Sequence, residues 1–402
     1  MIELIQDGSV TSATGFLAGG TYAGLKTVGE GVLDLGILMS KKSATLGATF
    51  STNKILSPSV TVSKQRLQKG SARGVVANSG CANCSVGTQG YLDAEELASL
   101  AAAHAGVTSE ETLVASTGMI GVELPMALVR QRIGNIELSE EGGHDFARAI
   151  MTTDSRQKDM AIALEVDGRR ITLGGAAKGV GMIHPNMATM LCFITTDAPV
   201  EQSFLQESLN EAVALSFNMI DIDGDQSTND TVLVLANGMA EGEIIKSGSE
   251  SAVAFQEALT YICITLAKEL VRDGEGAQRL IEVSVNSANT ISDARTAARE
   301  IASSLLVKAA IHGRDPNWGR IIMALGKSGI EIDESKIDLF INDIHIVHEG
   351  VAIPYYKDAV ISAMSNSEVR LGIELNLGEA NAMAWGCDLT EEYVTFNSAY
   401  ST

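Results

Sequence analysis

The most constraining feature of this chain is a glycine-rich turn that runs directly into a short apolar segment. The run Gly179–Asp197 reads GVGMIHPNMATMLCFITTD, and Thr189 stands between the turn and the apolar residues Met190–Ile194. The apolar segment has the length of a strand and is followed by threonines, which predicts a buried strand. We therefore expect Thr189 at the mouth of a strand, just after a flexible loop.

A threonine in this position has two interpretations. It can simply be a strand residue, which is the usual case, or it can mark self-cleavage between Ala188 and Thr189. Cleavage would make Thr189 a new N-terminus. A threonine hydroxyl is a weak nucleophile unless a base lies beside it, and the new α-amine is such a base. An α-amine has a pKa of about 7.7–8.0, so part of it is neutral at physiological pH.

Composition and charge exclude several classes of protein. The 402 residues include 29 Lys+Arg and 50 Asp+Glu, a net charge of −21, which argues against nucleic-acid binding. We find no long apolar run and no signal-peptide pattern at the N-terminus, so we expect a cytoplasmic protein with no membrane partner. The chain has five cysteines, a small and odd number that argues against a disulfide framework.

Hydrophobic periodicity predicts helices and strands that alternate without a strict βαβ order. The predicted helices cover 93–105, 204–217, 255–270 and 292–310, and the predicted strands cover 231–236 and 281–285. The fold class expected from this pattern is α/β, with layered helices and strands and with mixed or antiparallel sheets.

Three other positions have both a structural and a chemical interpretation. Ser116-Thr117-Gly118 can be a tight turn or an oxyanion hole, because a threonine hydroxyl and a glycine N–H can both donate to a developing negative charge. Lys178 can be a solvated loop lysine or a cation for a substrate carboxylate. Glu275, between two glycines, can be a solvated loop residue or a carboxylate that binds an amine.

Two patterns suggest metal or redox chemistry but lack essential parts. Counted from Asp221, an EF-hand loop needs glycine at position 6 and glutamate at position 12, where this chain has Gln226 and Val232. We therefore expect a loop of Asx turns and no bound metal. Cys81 and Cys84 have Cys-x-x-Cys spacing, but neither a second cysteine pair nor an electropositive helix start is evident.

The run Lys178–Leu191 resembles the signature of the ornithine acetyltransferase family, the glutamate N-acetyltransferases of arginine biosynthesis. Further ordered blocks resemble the same family over nearly the whole chain: Asn78–Gly80, Val114–Gly121, Thr152–Asp154, Asp223–Thr231, Val271–Ala277, Asp315–Arg320, Trp385–Thr390 and Asn397–Thr402. The chain departs from the family at Cys81, where asparagine is usual.

The resemblance implies a fold and a processing event. The family's fold is a sandwich of helices around two sheets, a self-cleaving scaffold with an N-terminal threonine nucleophile. The bond between Ala188 and Thr189 would break autocatalytically. This would give an α chain, 1–188, and a β chain, 189–402, expected to assemble as two α and two β chains.

The resemblance also assigns site residues. Thr189 would be the nucleophile, and Thr117 and Gly118 would hold the oxyanion. The residues that match the family's substrate-binding positions are Thr153, Lys178, Thr189, Glu275, Asn397 and Thr402.

The implied function is acetyl transfer from N2-acetyl-L-ornithine to L-glutamate, by a ping-pong route through an acetyl-threonine. No cofactor is expected, although acetyl-CoA could serve as a second acetyl donor. Two alternatives stay open. One is an aminopeptidase or amidohydrolase on the same scaffold, with water in place of glutamate. The other is an uncleaved, non-catalytic binding protein.

Overall fold

A computed structural model describes residues 2–29, 31–184 and 190–399. The predicted cleavage site, Ala188 and Thr189, and the predicted substrate-binding residue Thr402 lie outside the described residues.

The described chain contains sixteen strands and eleven α-helices. The strands are β1 (Ile2–Ile5), β2 (Phe16–Thr21), β3 (Leu35–Phe50), β4 (Ser71–Asn78), β5 (Thr112–Ser116), β6 (Lys158–Val166), β7 (Arg169–Lys178), β8 (Leu191–Thr196), β9 (Ile220–Asp221), β10 (Thr231–Ala236), β11 (Leu280–Ala288), β12 (Asp338–Ile341), β13 (Ile344–His348), β14 (Val351–Ala352), β15 (Glu368–Glu374) and β16 (Ala380–Cys387). The helices are α1 (Pro58–Leu67), α2 (Gly87–Ala105), α3 (Met126–Arg132), α4 (Gly143–Ala149), α5 (Gln202–Leu215), α6 (Glu250–Arg272), α7 (Ile291–Ala302), α8 (Leu305–Gly313), α9 (Trp318–Lys327), α10 (Lys357–Ala363) and α11 (Glu391–Ala399).

The strands form two mixed sheets. The first has the order β1-β6-β7-β8-β10-β3-β4-β5, with β2 also paired to β3. Strand β3 pairs with β2 through its first part and with β10 through its last part, and it pairs with β4 on both sides of an irregularity between Met39 and Ala44. The second sheet has the order β14-β13-β12-β15-β11-β16-β9.

Helices pack on both sheets. Leu259, Ile262 and Leu266 give α6 an apolar face that packs against β6 and β7, and α5 packs beside it on β3. The second sheet is covered by α7, whose buried alanines lie against β11 and β16. This arrangement of helices around two sheets confirms the predicted α/β sandwich.

The predicted α and β chains are not separate structural units. The strands β8 and β10 follow residue 189, yet they lie in the middle of the first sheet, between β7 and β3. Strand β8 pairs with β7 from Lys178↔Leu191 to Leu173↔Thr196. The two chains expected from cleavage would therefore remain joined by a continuous hydrogen-bonded sheet.

Most predicted elements are confirmed, and two helices require correction. The helix predicted over 93–105 begins at Gly87, because Asp93 lies buried inside the helix and accepts a hydrogen bond from Gln89 rather than capping it. The single helix predicted over 292–310 is two helices. Ser304 has an extended backbone and caps α8 by accepting from the Val307 N–H, so the chain turns there.

Candidate active site

The predicted oxyanion segment leaves the end of β5 and runs beside a second loop. Thr117 N–H donates to the Asn78 carbonyl (3.0 Å) and Met119 N–H to the Gly80 carbonyl (3.2 Å). Gly118 lies between them with a φ of 129°. A Cβ there would stand 2.3 Å from the Gly80 carbonyl carbon, so only glycine fits this close approach.

Two donors are available in this segment. Thr117 is only 3% exposed, and its hydroxyl oxygen accepts a hydrogen bond from Lys178 Nζ (3.1 Å), which leaves the hydroxyl proton free to donate. Within the part of the chain that the structure describes, no acceptor binds the Gly118 N–H. A hydroxyl and a neighbouring N–H are the groups that stabilise a tetrahedral oxyanion.

Lys178 ends β7 and is 2% exposed. Burial lowers the pKa of its ammonium, and the nearby Asp154 carboxylate partly opposes that shift. Burial also acts on Asp154, but the charges of Lys158 and Lys178 outweigh it and hold the pKa of this carboxyl below its usual value. The Lys178 amine is thus buried, lies near the Asp154 carboxylate and is directed at the Thr117 hydroxyl.

Three predicted substrate-binding residues meet at one carboxylate. Thr153 donates its hydroxyl to Glu275 Oε1 (2.7 Å), and Asn397 donates its amide to Glu275 Oε2 (2.8 Å). The glycine-rich turn touches the same group, because a Cβ on Gly181 would lie 2.7 Å from the carboxylate. The Glu275 N–H donates to the Val180 carbonyl (2.9 Å), which fastens the two loops together.

A buried lysine joins the two substrate loops. Lys158 Nζ donates to Asp154 Oδ1 (2.7 Å), in the turn that carries Thr153, and to Asp273 Oδ2 (2.6 Å), in the loop that carries Glu275. The side chain of Lys158 is fully buried. The sequence did not predict a role for Lys158, because nothing in its local pattern indicates a contact with Asp273.

Carboxylates hold both ends of the segment that contains the predicted cleavage site. Before it, Asp223 accepts from the Met182 N–H (2.6 Å) and the Ile183 N–H (2.9 Å). After it, Asp230 accepts from the Met190 N–H (2.9 Å). Burial raises the pKa of Asp230 well above its usual value. Both aspartates lie in the block Asp223–Thr231 that resembles the family, but the sequence did not predict these hydrogen bonds to the segment.

The same block reaches the oxyanion segment. Asn229 donates its amide to the Ser116 carbonyl (2.8 Å) and to the Ala82 carbonyl (2.7 Å). The consecutive residues Asn229 and Asp230 therefore bind the oxyanion segment and Met190, the residue that follows Thr189.

A cavity of about 500 Å³ opens beside these residues, and its walls include Gly80, Cys81, Met119 and Thr152. Lys26 also lines it, and burial lowers the pKa of this lysine to about 8. The cavity has the size of a pocket for a small metabolite.

Cys81 and Cys84 are both buried free thiols. Burial raises the pKa of the Cys81 thiol, which disfavours the reactive thiolate. Cys81 instead forms β-bridges with Thr117 and Met119 through its main chain, so it supports the oxyanion segment despite departing from the family pattern.

A buried hydroxyl beside an N–H without an acceptor is the kind of donor pair that enzymes use when they transfer or hydrolyse acyl groups. The sequence profile of the ArgJ family matches residues 17–402. The chain belongs to the ArgJ family.

Individual relatives agree with the family match. The arginine biosynthesis bifunctional protein ArgJ of Dehalococcoides mccartyi is 46% identical over 401 residues, covering 100% of this chain and 99% of that protein. The protein of the same name from Symbiobacterium thermophilum is 48% identical over 397 residues, covering 98% of this chain and 99% of that protein. A crystal structure of Bacillus halodurans ArgJ has a TM-score of 0.51 and 40% identity, and covers 52% of this chain and 98% of that chain.

These comparisons confirm the predicted family and the predicted function, an acetyltransferase of arginine biosynthesis. Across the described ranges, no helix is long and apolar enough to cross a membrane.

Proposed function

We propose that the chain cleaves itself between Ala188 and Thr189 and then moves acetyl from N2-acetylornithine to glutamate through an acetyl-Thr189 ester. The observation that carries this proposal is the pair Asn229–Asp230, which binds the Ser116 carbonyl on one side and the Met190 N–H on the other. Residue 190 is covalently next to Thr189. The pair therefore supports a nucleophile held close to Thr117 and Gly118.

The first half-reaction forms the ester. The Thr189 hydroxyl attacks the acetamide carbonyl carbon, and the Thr189 α-amine takes the hydroxyl proton. The carbonyl oxygen becomes an oxyanion that the Thr117 hydroxyl and the Gly118 N–H stabilise. When the C–N bond breaks, the proton passes from the α-amine to the leaving amine of ornithine.

The second half-reaction consumes the ester. The neutral α-amine of glutamate attacks the ester carbonyl, and the same two donors stabilise the second oxyanion. Collapse releases N-acetylglutamate and returns the proton to the Thr189 oxygen. Lys178 polarises the Thr117 hydroxyl through its 3.1 Å hydrogen bond, which strengthens that donor in a buried site.

The loop residues bind whichever amino acid occupies the pocket. The Glu275 carboxylate is oriented by Thr153 and Asn397 and is suited to hold a substrate ammonium. Lys178 is the buried lysine that would bind a substrate carboxylate, and Thr402 is the remaining residue that the family resemblance assigns to substrate binding. Because both amino acids share an α-amino-acid frame, one pocket can serve both half-reactions.

The size of a solved relative supports the cleavage step. The Bacillus halodurans chain is matched over 98% of its length, yet it covers 52% of this chain. The predicted β chain, residues 189–402, holds 214 of the 402 residues, slightly more than half. We propose that two α and two β chains assemble in the cytoplasm, with no cofactor except acetyl-CoA as a possible second acetyl donor.

A product assay tests the transferase against the hydrolase. The purified protein is incubated with N2-acetylornithine, with and without glutamate, and products are identified by mass spectrometry. We expect N-acetylglutamate and ornithine in equal amounts with glutamate, and little ornithine beyond a single turnover without it. Rapid release of acetate without glutamate would establish the amidohydrolase alternative instead. An additional arm with acetyl-CoA as the sole donor tests the second activity.

A further inference from the structure

We propose that Asp338, His345 and His348 form a binding site for a divalent transition-metal ion of the zinc class. The three residues lie on the hairpin formed by β12 and β13, in the second sheet. They are separate from every residue assigned above to acetyl transfer. The proposal differs from the sequence-based expectation of no metal.

The hairpin geometry places the three side chains together. Its two-residue turn, Asn342-Asp343, has positive φ at both positions (47° and 66°), as in the tight type I′ turns that fix hairpin register. Residues three apart in a regular strand, such as His345 and His348, point to opposite faces of a sheet.

A register shift removes that difference. Leu339 pairs with Val347, whereas Phe340 pairs with His345, so Ile346 is an extra residue on β13. One inserted residue brings His345 and His348 to the same face. Asp338 lies two residues before Phe340 in β12, so the two side chains are on the same face of the sheet. The His345 ring stacks on the Phe340 ring, with the ring centroids 4.4 Å apart, which places His345 on that face as well.

The distances between ligand atoms suit a small ion. His348 Nδ1 lies 2.8 Å from Asp338 Oδ1, and His345 Nε2 lies 3.6 Å from the same oxygen. One ligand atom from each residue lies within 4.8 Å of the others. A tetrahedral zinc site with bonds of about 2.0–2.1 Å separates its ligand atoms by about 3.3–3.4 Å. Small rotamer shifts therefore suffice to bind the ion.

One ligand atom is buried and makes no hydrogen bond. His345 Nε2 is inaccessible to solvent, and within the described ranges it makes no hydrogen bond, although the side chain as a whole is 33% exposed. A buried nitrogen without a hydrogen bond costs free energy, which a bound metal would recover. The Asp338 Oδ1 atom faces it at 3.6 Å, too far for a hydrogen bond and close to the spacing of two ligands on one ion.

The carboxylate is oriented from outside the cluster. Asp338 Oδ1 accepts from the Glu349 N–H (3.0 Å), and its second oxygen accepts from the Asn376 amide (3.4 Å). Such contacts fix metal ligands in place. Two imidazoles and a carboxylate favour Zn²⁺, Co²⁺, Ni²⁺ or Cu²⁺ over Ca²⁺ or Mg²⁺, which prefer oxygen ligands. Three protein ligands leave a fourth position for water.

Metal titration of the untagged, purified enzyme tests the site. After treatment with EDTA and dialysis, Zn²⁺ is titrated by calorimetry and Co²⁺ by visible absorption. All five cysteines are buried, so they do not compete for the ion. We expect one ion per chain at micromolar metal, with Co²⁺ bands typical of nitrogen and oxygen ligands.

Three variants decide the assignment. His345→Ala and Asp338→Asn should each weaken binding about tenfold or more, since loss of even an outer-shell partner costs that much. The control His104→Ala removes an exposed histidine on α2 and should bind as wild type does. Transferase activity, which should stay normal in all three, verifies folding. No one-to-one binding, or binding unchanged in both ligand variants, would overturn the proposal.

Discussion

The two sides of the proposed site differ in how firmly the protein holds them. On the oxyanion side, Thr117 and Lys178 are 3% and 2% exposed and are enclosed by the first sheet and its loops. On the substrate side, Thr153 and Glu275 are half-buried on loops, and Asn397 is exposed on the last helix. The first group lies at the ends of β5 and β7, whereas the second lies on loops and on the last helix, where the side chains are less enclosed.

This difference matches the different demands of the two sides. Oxyanion donors act only in the transition state, and they work best when they are fixed before the reaction. In the proposed reaction, the substrate side must accept N2-acetylornithine and then glutamate, whose side chains differ in charge and length. We therefore expect substitutions on the oxyanion side to lower kcat, and substitutions on the substrate side to raise KM.

The largest effect should come from Thr189→Ala. It removes both the attacking oxygen and the residue required for processing, so we expect a single full-length chain with no transferase activity. The wild-type protein should show two bands on a denaturing gel, with Thr-Met-Leu-Cys at the N-terminus of the larger fragment. Thr189→Ser should retain part of both functions. A full-length wild-type chain with normal activity would exclude Thr189 as the nucleophile.

Thr117→Ala should have the next largest effect. It removes one of two oxyanion donors, which is worth about 3–4 kcal/mol, or about 10²–10³ in kcat, with little change in KM. Steady-state kinetics on fully processed protein measure this. Thr117→Ser keeps the hydroxyl and should recover much of the loss.

A matched control is Thr265→Ala, which removes a threonine hydroxyl that donates to the Tyr261 carbonyl within α6. It should leave kcat unchanged. If Thr117→Ala raises KM and leaves kcat intact, Thr117 binds the ground state, and the two sides of the site do not differ as we describe.

Glu275→Gln should mainly raise KM, whereas Thr117→Ala should mainly lower kcat. It removes the charge that binds a substrate ammonium but can still accept hydrogen bonds from Thr153. Hydrogen bonds to charged groups are worth about 1.5–3 kcal/mol, so KM should rise about tenfold or more while kcat changes less. A large fall in kcat at unchanged KM would place Glu275 among the groups that act in the transition state.

The parts of this site that depend on short stretches of sequence were predicted, from the sequence itself and from the family resemblance. Gly118 and Thr117 follow an apolar strand, and Met190–Ile194 has the length of the buried strand that the structure contains. The periodicity of α5, α6 and β10 predicted a layered α/β fold, and the family resemblance supplied the sandwich of helices around two sheets. The nucleophile itself stays a prediction, because Thr189 lies outside the described residues.

Long-range contacts were beyond sequence reasoning. Lys158 meets Asp273 across 115 positions, and Asn229 meets Ser116 across 113. No period or motif records such pairs, because they depend on the strand order of the first sheet and on how α6 packs against it. The break between α7 and α8 was missed for a local reason, since Ser303-Ser304 is compatible with both a helix interior and a cap.

The smallest expected effect concerns the pH dependence of stability. It tests whether the Asp230 carboxyl, beside the oxyanion segment, is shielded from water in the folded protein. Burial raises the pKa of Asp230 above the unfolded value of about 3.9, so the folded protein binds this proton more tightly than the unfolded chain does. The contribution of Asp230 to stability is therefore most favourable below the unfolded pKa and is lost as pH rises through the folded pKa.

Asp230→Asn keeps an acceptor for the Met190 N–H but cannot ionise. Thr189→Ala and Thr189→Ala/Asp230→Asn should be compared, so that processing does not differ between them. The Tm of the double variant relative to the single variant should rise as the pH is raised from about 4 to about 8. A Tm difference that does not change with pH would mean that Asp230 is solvated in the folded protein. The oxyanion side of the site would then be as accessible to water as the substrate side.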